Sequence, residues 1–159
     1  MQSDINSQFY NCIHDLIQKP SVLAMGDIPQ HVNVSCLEHS IFVSYVSFRI
    51  SRFLKLDYEA SARGGLLHDL FLYDWRKTKT HKKYHLFSHP RAALENAMDI
   101  CDLTDKEQDI IKKHMWPLTI RPPRYMESFV VGCADKLCAL MEMLFIYRLM
   151  NIGRRLAFA

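Results

Sequence analysis

The pair His68-Asp69 stands at the end of the apolar run Leu66-Leu67, just ahead of the stretch Tyr73-Asp74-Trp75-Arg76-Lys77. An imidazole beside a carboxylate can donate to a metal ion, but such a pair is also an ordinary way to close a helix. Four further residues sit where separate helices could aim them at the pair: His39, His89, His114 and Asp135. Mixed imidazole and carboxylate donors suit Fe, Mn, Ni, Co or Zn, whereas magnesium favours oxygen ligands and fits less well. One or two divalent transition-metal ions are therefore expected, held by His39, His68, Asp69, His89, His114 and Asp135. Asp69 is the natural bridge, because its two oxygens can reach two ions while each imidazole serves one, and it is the expected catalytic residue. Four neutral imidazoles and two aspartates against two divalent ions leave a surplus of about +2, which favours an anionic substrate.

Cations that could meet such a substrate are Lys77, Arg121, Arg124 and Lys136. Lys77 lies in a run with Arg76, Lys79, Lys82 and Lys83, which otherwise reads as a solvated loop. There is no evident Ser-His-Asp or Cys-His arrangement to propose as a nucleophile instead. The donors also have ordinary alternatives. His39 could be a hydrogen-bonded core histidine, and Asp135 could pair with an arginine or lysine.

The elements that must position these residues are helical. Apolar residues Ile5, Phe9, Cys12, Ile13, Leu16 and Ile17 predict a helix over 4–19, stopped by Pro20 and the turn around Gly26. His14 and His31 are expected at the surface or in that turn. A long helix over 33–55 would bury Ile41, Phe42, Val43, Val46, Ile50, Phe53 and Leu54, with His39 on the same face. Asp57 can cap the next helix, which carries Gly64-Gly65 toward His68-Asp69 and so invites close packing of a neighbour. Residues 72–88 show no period. Ser88 as cap and Pro90 in a first turn would start another helix, placing His89 at its N-terminus. Thr104 and Glu107 form a capping box for a helix burying Ile110 and Ile111, with His114 in its last turn. Arg121-Pro122-Pro123-Arg124 is an extended link. The final helix, over about 125–150, bears Asp135 on a stripe with Val131, Gly132, Cys138, Ala139 and Glu142. No strand pattern, repeat or low-complexity tract is seen, and the chain beyond Gly153 reads as a frayed or truncated end.

Length and composition agree with one globular domain. The chain has 159 residues, 49% hydrophobic and 23% charged, with a net charge of +3. That mild charge suits a small anion and does not by itself suggest a nucleic-acid scaffold. No signal peptide and no membrane span are expected, and five cysteines without a C-x-x-C pair read as reduced residues of a cytoplasmic protein.

With these residues in view, the sequence resembles the HD-domain metal-dependent phosphohydrolases, an all-helical family named for its His-Asp pair. The likeness covers roughly residues 33–143. His39 resembles the family's first histidine, His68-Asp69 the doublet, and Asp135, within Gly132-Cys133-Ala134-Asp135-Lys136, the last aspartate. His89 and His114 look like the extra ligands of two-metal subgroups, which include diadenosine tetraphosphate hydrolases and cyclic dinucleotide phosphodiesterases. The Gly-Tyr-Pro motif of one branch is missing, and the loop after the doublet is longer than in the diadenosine hydrolases. The resemblance implies an all-α fold, a single HD-domain-like bundle of about six or seven helices, that hydrolyses a nucleotide or other small phosphoester. Two alternatives stay open: an HD-fold di-iron oxygenase, and a non-catalytic, metal-stabilised binding or regulatory domain.

Overall fold

The computed structural model describes the backbone of residues 2–31, 34–74 and 79–144, and side chains for 4–30, 34–74 and 87–144. Among these residues the chain is an all-α bundle. Its helices are α1 (Gln2–Ile17), α2 (Pro20–Leu23), α3 (Cys36–Phe53), α4 (Tyr58–Leu67), α5 (Lys79–Ile100), α6 (Asp105–Lys113) and α7 (Met126–Met143). No described helix is long and apolar enough to cross a membrane. The five cysteines are free thiols.

Helix starts follow local chemistry. Ser35 caps α3 in a reciprocal box with Glu38, and Thr104 does the same for α6 with Glu107. The Asp57 carboxylate accepts from the Ala60 N–H at 3.0 Å and starts α4. The predicted helices over 33–55, 57–69, 104–114 and 125–150 thus correspond to α3, α4, α6 and α7. The part of the last prediction beyond residue 144 lies outside the described residues.

Three expectations need correction. A two-stranded antiparallel hairpin, β1 (Pro29–His31) and β2 (Val34–Ser35), precedes α3 where no strand was expected. It is too short to display a period of two. Helix α5 begins at Lys79, so Ser88 is not its cap, Pro90 lies inside it and His89 is mid-helix. Lysine and histidine are acceptable helix formers; what the segment lacks is an apolar stripe, and that is the feature a periodicity reading needs. Finally, Phe53 and Leu54 are 84% and 49% exposed, while Ser40, Ser44, Ser47 and Ser51 are fully buried.

That serine row explains how α3 and α4 meet. Ser44 Oγ donates to the Ala62 carbonyl at 2.6 Å, and Ser51 and Ser61 share a hydrogen bond of 2.7 Å. Small side chains on both helices let the backbones approach. A Cβ placed on Gly65 would lie 3.0 Å from Ser44 Cα, and one on Gly64 would lie 2.8 Å from Ile110 Cγ2. Apolar residues flank this contact in two clusters. The larger includes Phe9, Leu16, Ile41, Phe48, Leu66, Leu67 and Phe71; the smaller includes Phe42, Val43, Ile110, Val131 and Cys138. Arg63 ties the outer layers, pairing with Asp15 of α1 at 2.8 Å and Glu107 of α6 at 2.7 Å.

Alanine is the better helix former by about 1 kcal/mol, so propensity alone would make Gly65→Ala stabilising. Contact with the Ser44 main chain reverses the sign, and chemical denaturation should show a net loss of about 1–2 kcal/mol. Gly26→Ala, whose Cβ would meet nothing closer than Leu37 Cδ2 at 3.8 Å, should stay within about 0.5 kcal/mol. Equal stability of the two variants would mean that α3 and α4 are not held this close.

Candidate metal centre

Five helices deliver the six expected donors to one buried place. His39 sits one turn into α3 and is fully buried. Its Nε2 lies 3.1 Å from Asp135 Oδ1 of α7, and its Nδ1 lies 3.0 Å from both oxygens of Glu142 on the same helix. His68 and His114 occupy equivalent positions, as the C-caps of α4 and α6. Each turns Nδ1 to the carbonyl three residues back: Gly65 for His68 and Ile111 for His114, both at 2.8 Å. A carbonyl can only accept, so in both rings Nδ1 carries the hydrogen and Nε2 is left facing the centre. The negative ends of two helix dipoles therefore point where a cation would sit.

Around those ring nitrogens the carboxylates divide. His68 Nε2 is 3.4 Å from Asp69 Oδ2 and 3.7 Å from Asp135 Oδ1. The other oxygen, Asp69 Oδ1, faces His89 Nε2 at 3.4 Å and His114 Nε2 at 3.6 Å. His89 and His114 bring their Nε2 atoms within 2.9 Å of each other. Separations of 3.4–3.7 Å are too long for hydrogen bonds. They suit ligands sharing an ion, which lie about 3.0–3.6 Å apart when each is about 2.0–2.2 Å from the metal.

Two buried atoms at this place lack a partner that a metal ion could supply. His68 Nε2 and Asp69 Oδ1 have no hydrogen-bond partner among the described residues. Leaving a buried polar atom unmatched costs about 1–3 kcal/mol, more for a charged group, and an ion held by this cluster would satisfy both. The donors resolve into groups that could each hold an ion: His39, His68 and Asp135, and His68, Asp69 and His114, with ligand atoms within 4.8 Å of one another. His89 adds to the second group through its contacts with Asp69 and His114.

The electrostatics keep both carboxylates anionic and His114 neutral, and they favour the protonated form of His39 and His68. Burial raises the Asp69 pKa, but His68, His89 and His114 outweigh it and hold this carboxyl below its usual range. For Asp135, burial is likewise outweighed, here by hydrogen bonding to His39 and the nearness of His68. Burial, reinforced by His68 and His89, pushes His114 down to about 3, so its ring is neutral. Burial pulls His39 down as well, yet Asp135 and Glu142 carry it up to about 10. His68 is raised too, since Asp69 and then Asp135 overcome its burial.

Two residues of this centre are absent from the sequence-based set. Gln30, on β1, donates Nε2–H to Asp69 Oδ2 at 2.6 Å, so the short hairpin orients the carboxylate of the second group. Nothing in its spacing marks it. Glu142 is 2% exposed, and its carboxylate backs His39. Its signal was present, since an acid two turns after Asp135 on an otherwise apolar stripe needs a partner.

Of the four cations expected to meet a substrate, Lys77 lies outside the described residues. The Lys136 ammonium donates to the carbonyls of His114 and Gly132 at 2.8 and 2.9 Å, which fastens the end of α6 to α7. The space beside Gly132 is filled by that same chain end, since a Cβ there would lie 3.1 Å from the His114 oxygen. Arg124 stacks over Tyr125 at 5.4 Å, and Arg121 is exposed. No described contact brings Arg121 or Arg124 to the donors, and Lys136 meets them only through the main-chain carbonyl of His114. Of the remaining histidines, His14 turns Nδ1 to the Asn11 carbonyl at 3.0 Å on the surface, as expected. The His31 side chain lies outside the described residues.

With His89 and His114 both facing Asp69 Oδ1, His89→Ala should lower the metal content from two ions per chain toward one and leave the helical circular dichroism unchanged. Elemental analysis of protein purified without chelator checks this, and unchanged stoichiometry would remove His89 from the ligand set. No protein-family model matches the chain, and no curated protein or solved structure matches it, so the chemistry of this centre is read from its own donors and charges.

Proposed function

We propose that the chain is a metal-dependent phosphohydrolase of the HD type, acting on a nucleotide or another small phosphoester. The observation that carries this reading is the division of Asp69. One oxygen faces His68, the other faces His89 and His114, and the carboxylate is 5% exposed at its side chain. That is the arrangement a carboxylate needs to serve two ions at once.

When bound, the ions supply Lewis acidity toward a phosphoryl group and lower the pKa of water. The chain's own residues do the rest. His39, His68 and Asp135 would hold one ion, His89 and His114 the other, and Asp69 would join them. Gln30 keeps the shared carboxylate from rotating, because its amide is committed to Oδ2. The imidazoles are buried, which limits the access of water to the ions they would hold. Asp135 is 15% exposed at its side chain against 0% for His39 and His68, and a substrate would approach from its side. Counting Glu142 with Asp69 and Asp135, two divalent ions leave a surplus of about +1 instead of the +2 expected from six ligands, still favourable to a phosphate. Arg121, Arg124 and Lys77 remain candidates for the outer charge of a nucleotide, whereas the backbone contacts of Lys136 suit a structural role.

Turnover by chelator-stripped protein reloaded singly with Mn, Fe, Ni, Co, Zn or Mg, against a panel of nucleotides and phosphoesters, tests the reading. Hydrolysis of one substrate class with at least one ion is expected. Asp69→Ala should lose more than about 100-fold, beyond the 10–100-fold typical of changes to residues that merely support a ligand. If no ion supports hydrolysis, the reading fails. Oxygen consumption by iron-loaded protein would then favour the oxygenase alternative, and stabilisation by metal without any turnover would favour a binding domain.

A further inference from the structure

The two groups of donors are not supported alike. His68 and His114 rest their Nδ1–H groups on neutral main-chain carbonyls, at 2.8 Å each. His39 instead faces a carboxylate, with both Glu142 oxygens 3.0 Å from its Nδ1. Glu142 is 2% exposed, and its only ion pair among the described residues is with His39. Burial makes this pairing strong, because neither partner has water to compete for it. A carboxylate behind an imidazole fixes the ring's tautomer and orientation and makes the opposite nitrogen a better donor. Charge adds to the difference. The group of His39, His68 and Asp135 has a carboxylate of its own and Glu142 behind it, whereas the group of His89 and His114 has only its share of Asp69.

We propose that Glu142 is a positioning residue that acts through His39, making the His39–His68–Asp135 position the tighter of two ion positions and leaving the Asp69–His89–His114 position weaker and exchangeable. This rests on the reading of the cluster as a two-ion centre, but not on what the centre hydrolyses. It implies stepwise loading, with the second ion lost first on dilution or brief exposure to chelator.

The test is competition of zinc between a chromophoric chelator and the stripped full-length chain. The wild type should bind two ions with affinities at least about tenfold apart. Glu142→Gln preserves the shape of the side chain but removes its charge. It should weaken the tighter ion about 10–100-fold while shifting the other less than about threefold, and His114→Ala should do the reverse. In zinc-loaded wild type, the His39 Nδ1 proton should also resonate downfield of those of His68 and His114, and Glu142→Gln should move it upfield. Binding of a single ion, or of two with equal affinity, would overturn the proposal in the wild type alone, whether or not the variant folds. A Glu142→Gln protein that keeps both affinities, or weakens both alike, would overturn it as well. A split affinity in a protein without phosphohydrolase turnover would sink the proposed activity and leave this inference standing.

Discussion

Everything at the centre depends on how closely α3 and α4 approach. Their contact is set by serines and glycines in place of large apolar side chains, with the Gly65 backbone against that of Ser44. That approach puts the His39 and His68 rings 5.5 Å apart between centroids. With a larger residue at either position, α4 would stand off and His68 would retreat from Asp135. The glycine pair weakens the helix by roughly 1 kcal/mol per residue, and the fold tolerates this because helix packing supplies most of the stability of a buried helix.

A second constraint follows from where the helices stop. Both α4 and α6 terminate on a histidine whose ring folds back onto its own last turn. The same hydrogen bond closes the helix and aims the opposite nitrogen inward. Helix capping and ligand orientation are thus one interaction in these two places. Lys136 completes the arrangement from α7 by taking up the His114 carbonyl that the end of α6 leaves over.

The helical class and the six imidazoles and carboxylates that converge were legible in the sequence for a simple reason. Imidazoles and carboxylates inside apolar stripes are conspicuous, and capping residues such as Asp57 and Thr104 mark boundaries through local chemistry. What escaped was non-local or unpatterned. Gln30 reaches Asp69 from a hairpin too short to have a period, over a separation of 39 residues. At Phe53 and Leu54 hydrophobicity points to burial, whereas the close packing of α3 selects for size and buries serines. The first turns of α5 carry no apolar stripe, so periodicity does not reveal them. Glu142 was seen on the right stripe, but only three-dimensional contact reveals that His39 turns toward it.

His39 and Asp135 are 96 residues apart in sequence. The helices between them form from local contacts, so the meeting of α3 with α7 is the topologically distant event of the fold. An ion gripped by both would act as a cross-link between the two ends of that span. In the chain-entropy view, a covalent tie closing a loop of such length removes roughly 4–5 kcal/mol of freedom from the unfolded chain. A metal shared between α3 and α7 would then be a clasp as well as a reagent, holding together two walls of the bundle that the chain itself joins only through a long detour.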